Sequence, residues 1–540
     1  MKLDRCAGIL LHPSSLPKGY GIGDIGLQAH TWIDFLAEAG CSLWQVLPLG
    51  PTGYGDSPYQ CFSAFAGNPY LVSPQALLDE DLLHPDDLAE IPDFPKDRVD
   101  YGKLIPWKLG ALDRSYLRFQ HSAPSDMRVD YADFRAEQMG WLDDFALFMA
   151  LKEAHGGAPW PEWETALRDR QPKAMEKARR EYAVAIDRQM YRQFVFFHQW
   201  NSLHEYARDK GIQIIGDAPI FVAHDSADVW ARRELFYLDE EGQPTVVAGV
   251  PPDYFSPTGQ LWGNPLYRWD ALKDEGYKWW LERLGSVLGF VDIVRLDHFR
   301  GFAGYWEVPG GARTAEKGRW APGPGIDFFE TVQRQLGDLP IIAEDLGVIT
   351  PDVVEMREHF NLPGMKILQF GFEGGPKDDF LPHHYPHNCV VYTGTHDNDT
   401  VLGWYQRTDD KYKDYYRRYL GCSGSDVSWD MIRACWRSVA VFSLAPMQDF
   451  LGLDNEARMN YPGNPSGNWT WRMKPNALNE ELQEGIYELN FLYDRLNPLA
   501  EEEEEKEEVG DQEQGEDEEE KQAGSASSLD GIKGGKRPYG

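Results

Sequence analysis

Eight short apolar runs recur along this 540-residue chain, and each ends abruptly in polar or glycine-rich sequence. Continuous Val/Ile/Leu-rich runs are typical of strands buried on both faces of a parallel sheet, and helix-length segments separate them here. Eight such strands predict an α/β protein with a (β/α)8 TIM barrel, which with insertions can exceed about 400 residues as one domain. The runs are AGILLHP (7–13), SLWQVLPLGP (42–51), IQIIGDAP (212–219), VDIVRLDHFRG (291–301), LPIIAEDLG (339–347), MKILQF (365–370), CVVYTGTHDND (389–399) and VAVFSLAPMQD (439–449).

The runs are unevenly spaced, which predicts insertions within one catalytic barrel domain over residues 1–499. About 160 residues separate the second run from the third, and the segment from about 70 to 200 is rich in helix formers such as FRAEQMGWLDDFALFMALKEAH. We expect a mostly helical inserted subdomain there. We expect residues of about 223–290 to form a loop-rich insertion that covers the active site, since insertions between barrel strands usually build its walls.

The composition changes sharply after Leu499. Residues 501–540 contain 15 acidic and 5 basic residues and end in a Gly/Ser/Lys stretch. Such a segment cannot bury a core, so residues 500–540 are predicted to be a disordered acidic tail. The alternative is a tail that docks a basic partner.

Charge and hydropathy exclude several classes of protein. The net charge is −34, which disfavours binding to nucleic acid. No apolar run approaches the roughly 20 residues that cross a bilayer, and the amino-terminal apolar stretch is too brief for a secretory signal. Six scattered cysteines without a C-x-x-C pair indicate reduced thiols in a cytoplasmic protein, with no sign of a metal site.

The fourth run, VDIVRLDHFRG, brings charged residues to a strand end. Side chains alternate along a strand, so Ile293, Arg295 and Asp297 share one face. Arg295 and Asp297 would then point toward the barrel axis at the carboxyl end, where barrel enzymes hold catalytic groups. For this strand alone, a structural ion pair that closes the barrel is the alternative.

Two further runs end in the same way, with Glu344 in LPIIAEDLG and with His396 and Asp397 in CVVYTGTHDND. One carboxylate at a strand end is weak evidence, because Asp and Glu also cap helices. Three on strands of one barrel indicate glycoside chemistry, which needs an ionised carboxylate to attack and a protonated one to donate. Asp297 and Glu344 lie on neighbouring predicted strands, so the separation of about 5–5.5 Å that a retaining reaction needs is reachable.

Aromatic residues make up 13% of the chain, and many lie in loop-like sequence such as 53–70 and 251–269. Flat rings stack on the apolar face of a sugar, while Asn, Gln, Asp and His bond its hydroxyls. A single ring is more often part of the core. Clustered with Gly, Pro and Ser, these rings favour a cleft that binds sugar.

With these motifs the sequence resembles the amylomaltases, a family of 4-α-glucanotransferases also called disproportionating enzymes. The resemblance runs from the amino-terminal LLHPSSLPKGYGIGDIG to about residue 497. It is carried by WQVLPLGPTGYGDSPYQ, GDAPIFVAHDSADVW, PPDYFSPTGQLWGNPLYRW, VRLDHFRGF, AEDLG, GTHDNDT and YPGNPSGNW.

The resemblance implies a role for each matching carboxylate. Asp297 matches the nucleophile that forms a covalent glycosyl-enzyme, and Glu344 matches the general acid/base. Asp397 matches the carboxylate that binds sugar hydroxyls and favours the distorted transition state. The substrate-binding residues that the same motifs imply are Ser57, Tyr59, Asp217, Asp253, Phe255, Gln260, Trp262, Arg295, His396 and Asn464.

The resemblance also implies α-1,4-glucans and maltooligosaccharides as substrates, glucose as acceptor or product, and neither cofactor nor metal. Tyr54 and Tyr101 lie where some members have a second glucan site. The acidic tail has no counterpart in the family pattern. The alternatives are a glucan hydrolase or debranching enzyme on the same fold, or, from another class, a non-catalytic glucan-binding protein.

Overall fold

A computed structural model of the chain describes residues 4–252, 256–464 and 466–500. Its twelve strands form two separate sheets. The strands are β1 (Cys6–Leu10), β2 (Leu43–Gln45), β3 (Gln213–Pro219), β4 (Val246–Val250), β5 (Gln260–Pro265), β6 (Ile293–Asp297), β7 (Gly304–Pro309), β8 (Arg319–Pro322), β9 (Ile341–Ala343), β10 (Gly364–Ile367), β11 (Cys389–Tyr392) and β12 (Phe442–Pro446).

Eight of these strands close into a parallel barrel in the order β1-β2-β3-β6-β9-β10-β11-β12, and β12 pairs with β1 to complete it. All eight overlap the apolar runs of the sequence, so the predicted (β/α)8 barrel is confirmed. The strands occur around the barrel in the order of the chain. Their carboxyl ends therefore lie together on one face, which is where the polar ends of the runs meet.

Alternation along the strands divides the apolar residues into two layers. Ile215, Ile293, Ile342 and Met365 belong to a small buried cluster built from the barrel strands. Val294 and Leu296, which alternate with Ile293 on β6, belong to the large cluster shared with the helices. The face that carries Ile293 is thus the barrel interior, as the sequence predicted for the face that carries Arg295.

Helices occupy many of the segments that connect the strands. They are α1 (Leu27–Glu38), α2 (Pro74–Asp79), α3 (Tyr101–Ser122), α4 (Ser125–Glu137), α5 (Met139–Ala154), α6 (Thr165–Arg168), α7 (Pro172–Glu181), α8 (Ala183–Asp209), α9 (Ala227–Ala231), α10 (Trp269–Asp274), α11 (Lys278–Phe290), α12 (Ile326–Leu336), α13 (Pro351–His359), α14 (Gly371–Gly374), α15 (Val401–Arg407), α16 (Asp410–Leu420), α17 (Val427–Trp436), α18 (Met447–Phe450) and α19 (Glu480–Leu492). Helices α2 to α8 fill the segment between β2 and β3, where a mostly helical subdomain was predicted. The longest of them, α8, has 27 residues and leads directly into β3.

The second sheet is antiparallel, in the order β5-β4-β7-β8. Strands β4 and β5 precede β6 in the chain, whereas β7 and β8 follow it, and β4 pairs with β7 to join the two halves. The sequence predicted a loop-rich insertion over 223–290. Part of that segment, strands β4 and β5, instead forms regular sheet. The other two strands of the sheet, β7 and β8, follow β6 in the chain.

None of the helices in the described ranges combines the length and apolarity that a membrane span requires. All six cysteines are free, and four of them are buried. Of the acidic tail predicted for residues 500–540, residues 501–540 lie outside the described residues.

Candidate active site

A buried arginine forms the centre of the site, on the interior face of β6. Arg295 lies directly opposite Asp217 in the pairing of β3 with β6, so the register brings the two side chains together. Its guanidinium lies 2.6 Å from Asp217 Oδ2 and 3.0 Å from Asp297 Oδ1. Arg295 is only 4% exposed. The cation therefore binds two carboxylates in a region largely removed from water, where charge–charge interactions are strongest.

Glu344 follows β9, the next strand of the barrel. The pairing of Leu296 with Ala343 places Asp297 and Glu344 next to each other at the ends of two adjacent strands. The two Glu344 carboxylate oxygens accept hydrogen bonds from the main-chain N–H groups of His298, at 2.7 Å, and Leu346, at 2.9 Å. His298 has a φ of 55°, and this left-handed turn directs its N–H toward Glu344. The turn that follows Asp297 thus helps to fix the second carboxylate.

Tyr59 and the segment after β11 lie across from this pair. The Tyr59 hydroxyl donates to Asp217 Oδ2 at 2.6 Å, and its ring stacks on His396 with centroids 5.0 Å apart. Asp397 follows His396, and its side chain is 49% exposed. The structure therefore brings Asp297, Glu344, Asp397 and their predicted neighbours together at the carboxyl end of the barrel.

Burial dominates the electrostatics of the two central carboxyls. It raises the pKa of both Asp297 and Glu344, and the Arg295 guanidinium opposes the rise in each case. Asp217, Glu344 and Asp397 raise the pKa of Asp297 further through like-charge repulsion. Since several carboxyls surround one guanidinium, Asp297 and Glu344 together retain a proton more readily than two isolated carboxyl groups would.

The neighbouring aromatic and imidazole groups stay uncharged at neutral pH. Burial lowers the pKa of His396 and raises the pKa of Tyr59 well above its ordinary range. Both can therefore offer hydrogen bonds to a ligand without adding charge to the cluster. Among the described residues, no group of three or more His, Cys, Asp or Glu side chains is arranged to hold a metal ion.

The antiparallel sheet supplies one wall of the site. Trp262 on β5 contacts the His298 ring edge-on, with centroids 4.8 Å apart and an interplanar angle of 83°. Its indole N–H donates to Gln260 Oε1 at 3.2 Å. The predicted residues Trp262 and Gln260 thus lie beside the turn that follows Asp297. Asp253 and Phe255, predicted in the same segment, lie outside the described residues.

The other two predicted binding residues, Ser57 and Asn464, lie in loops. Ser57 accepts a hydrogen bond from the Tyr59 main chain at 3.2 Å and so shapes the turn that presents this ring. Asn464 is exposed in the loop after α18, and its carbonyl accepts from the Asn468 side chain at 2.9 Å.

Tyr54 and Tyr101, predicted as a second glucan site, differ in exposure. Tyr54 is 76% exposed. Tyr101 is partly buried, and its hydroxyl donates to the Trp469 carbonyl at 3.0 Å. The second glucan site stays a prediction.

Two residues that the sequence analysis missed contact Asp397. Asn460 donates from Nδ2 to Asp397 Oδ1 at 2.6 Å, and Arg458 donates from Nη2 to the Asp397 carbonyl at 2.6 Å. Both come immediately before the YPGNPSGNW motif. Their proximity to that motif was the available signal, but no strand pairing predicts a contact between segments that are 61 and 63 residues apart.

The fold and the carboxylates around Arg295 define a class of protein. A (β/α)8 barrel with carboxylates gathered around an arginine at the carboxyl ends of its strands is a barrel enzyme, with its active site on the usual face. Comparison with known proteins then identifies the family. The family model described as 4-alpha-glucanotransferase matches residues 11–479. The chain therefore belongs to the 4-alpha-glucanotransferase family, as its motifs predicted.

Individual relatives agree over nearly their whole length. The chain is 52% identical to a 4-alpha-glucanotransferase of Thermus thermophilus, over 89% of this chain and 97% of the relative. It is 48% identical to one from Synechocystis, over 91% of this chain and 98% of the relative. Among solved structures, an amylomaltase of Streptococcus agalactiae in complex with acarbose matches with a TM-score of 0.88 and 39% identity, over 91% of this chain and all of that one.

Proposed function

We propose that this enzyme transfers a segment of an α-1,4-glucan to the 4-hydroxyl of an acceptor glucose or glucan by a retaining double displacement. The observation that carries the proposal is the buried Arg295, bound to Asp297 at 3.0 Å, with Glu344 at the end of the adjacent strand. This is the pair of carboxyls, in two environments, that retention requires.

In the first half-reaction, Asp297 is the ionised member of the pair because it contacts the guanidinium directly. One of its oxygens attacks the anomeric carbon of the donor, and the bond from that carbon to the glycosidic oxygen breaks. Glu344 gives its proton to that oxygen, so the shortened glucan leaves with a free 4-hydroxyl. The product on the enzyme is a glycosyl ester of Asp297.

In the second half-reaction, ionised Glu344 accepts the proton from the 4-hydroxyl of the acceptor. The acceptor oxygen attacks the anomeric carbon, the ester bond to Asp297 breaks, and both carboxyls return to their starting states. Asp397 binds hydroxyls of the reacting sugar, with its largely accessible carboxylate at the mouth of the cluster. Asp217, Tyr59 and His396 complete the floor of that subsite.

Transfer and hydrolysis share the covalent intermediate and differ only in what attacks it. A transferase must hold an acceptor in line and keep water away while it does so. The wall formed by Trp262 and the β5-β4-β7-β8 sheet supports this role, since an aromatic ring beside the turn after Asp297 suits stacking of an acceptor sugar. The amylomaltase that matches this fold was solved with acarbose, which further supports a carbohydrate ligand.

Incubation with maltotriose tests the proposal. We expect glucose together with maltopentaose and longer chains, while the total concentration of reducing ends stays nearly constant. A steady rise in reducing ends, with maltose and glucose accumulating and no longer chains, would identify a hydrolase instead.

The six free cysteines fit a reducing compartment, and we propose that the enzyme works in the cytoplasm.

A further inference from the structure

A single short segment, residues 455–461, contacts the loop that carries His396 and Asp397 at several points. The Asn460 main-chain N–H donates to the His396 carbonyl at 3.1 Å, and the Asn460 side chain donates to Asp397 Oδ1 at 2.6 Å. Arg458 donates to the Asp397 carbonyl at 2.6 Å. Arg458 and Asn460 together thus hold both the backbone and the carboxylate of Asp397.

The segment is itself held rigidly. Arg458 Nε donates to the Asn460 carbonyl at 2.7 Å, and its guanidinium stacks over the Tyr461 ring at 4.4 Å. The Tyr461 hydroxyl donates to Asn455 Oδ1 at 2.7 Å, and Asn455 Nδ2 donates to Asp399 Oδ1 at 2.8 Å. These hydrogen bonds link residues 455–461 to residues 397 and 399 at more than one point, so Asn460 is held against Asp397 by its neighbours as well as by its own side chain.

We infer that Asn460 is a positioning residue for the transfer reaction, holding the Asp397 carboxylate in the orientation that favours the transition state. This inference rests on the proposed role of Asp397. Asn460 occupies Oδ1, and His396 Nε2 lies 3.4 Å from the same oxygen, so Oδ2 is the oxygen turned to the substrate hydroxyls. The amide donor also adds no charge that would compete with Arg295.

Orientation of this kind affects the transition state more than the bound substrate. Asn460→Ala should therefore lower kcat on maltotriose by about 100-fold while KM changes far less, as for other small misplacements of a reacting group. A residue that only maintained the fold would lower the midpoint of thermal unfolding instead. The unfolding midpoint of the variant is measured alongside the kinetics.

The isosteric Asn460→Asp variant gives a sharper test. The introduced carboxyl would face Asp397 at hydrogen-bond distance, and two such groups share one proton. In its protonated state the introduced carboxyl can donate to Asp397 as the amide does, whereas in its ionised state it repels the Asp397 carboxylate. The activity ratio of Asn460→Asp to wild type should therefore rise by about 10-fold or more as the pH falls from about 8 to about 5.

Asn388→Asp is the matched control, because Asn388 is only partly buried and its side chain bonds only to Asn361 in the contacts described. Its activity ratio to wild type should stay constant over the same pH range. A flat ratio for Asn460→Asp, or near-wild-type kcat for Asn460→Ala, would overturn the positioning role and leave the proposed function intact. Near-wild-type activity of Asp397→Asn would overturn the positioning role of Asn460 together with the proposed role of Asp397.

Discussion

Replacing Arg295 with methionine removes the central cation and keeps a side chain of similar length. In the wild type the guanidinium binds Asp217 at 2.6 Å and Asp297 at 3.0 Å, and only 4% of the residue is exposed. Methionine is unbranched and flexible, so it can fill much of this space beside the sulfur of Met365, which lies 3.3 Å from Arg295 Nε. The variant therefore isolates the loss of charge from the loss of packing.

The expected cost in the free energy of unfolding at neutral pH is about 3–5 kcal/mol, the usual effect of removing one partner from a buried ion pair. The cost should depend on pH. Burial raises the pKa of Asp297, and Arg295 opposes that rise, so the pKa rises further in the variant. A carboxyl whose pKa is higher in the folded than in the unfolded state costs stability as pH rises toward the folded pKa. The loss should therefore shrink when the pH is lowered.

Urea unfolding followed by tryptophan fluorescence, at about pH 7.5 and about pH 5, measures both effects. Arg418→Met is the matched control, because Arg418 also pairs with a carboxylate, Asp414 at 2.9 Å, but the two side chains are 72% and 54% exposed. Exposed pairs contribute about 0–1 kcal/mol. A cost for Arg295→Met no greater than that of the control, or a cost equal at both pH values, would refute a buried charge cluster centred on Arg295.

Three further predictions concern the chemistry and the chain end. Asp297→Asn, Glu344→Gln and Asp397→Asn should each lower glucose release from maltotriose by about 1,000-fold or more while leaving the fold intact, and near-normal activity would remove that residue from its role. A chelator should leave turnover unchanged, since the proposed steps use only protein carboxyls; a loss that calcium restores would contradict this. Truncation after Leu499 should preserve turnover and Tm, and a fall in Tm of several degrees would show that the removed segment packs on the barrel.

The barrel could be predicted from sequence because its strands are buried on both faces. This produces apolar runs that are visible without knowledge of any partner, as at 291–301. The positions of Arg295, Asp297 and Glu344 followed from two general rules, alternation along a strand and the location of barrel active sites at the strands' carboxyl ends. These rules need no long-range contact to be known in advance.

The antiparallel sheet and the hydrogen bonds to Asp397 could not be predicted in the same way. Strand β8 has only four residues, of which none is fully buried, so it shows no apolar run. Its pairing, with Trp306 opposite Trp320, depends on a turn whose geometry the sequence does not specify. The contact from Asn460 to Asp397 spans 63 residues between two irregular loops and has no periodic signal at all.

The sheet that joins β4 to β7 has a consequence for exchanging parts between members of this family. The segment before β6, with strands β4 and β5, and the segment after it, with β7 and β8, are separate in the chain. They nevertheless share a set of main-chain hydrogen bonds, with Val247 opposite Val308 and Gly249 opposite Trp306. A chimera that takes residues 246–265 from one parent and 304–322 from another would join two half-sheets that were never selected together. Crossovers intended to exchange this sheet should therefore carry both segments, and strand β6 between them, as one block.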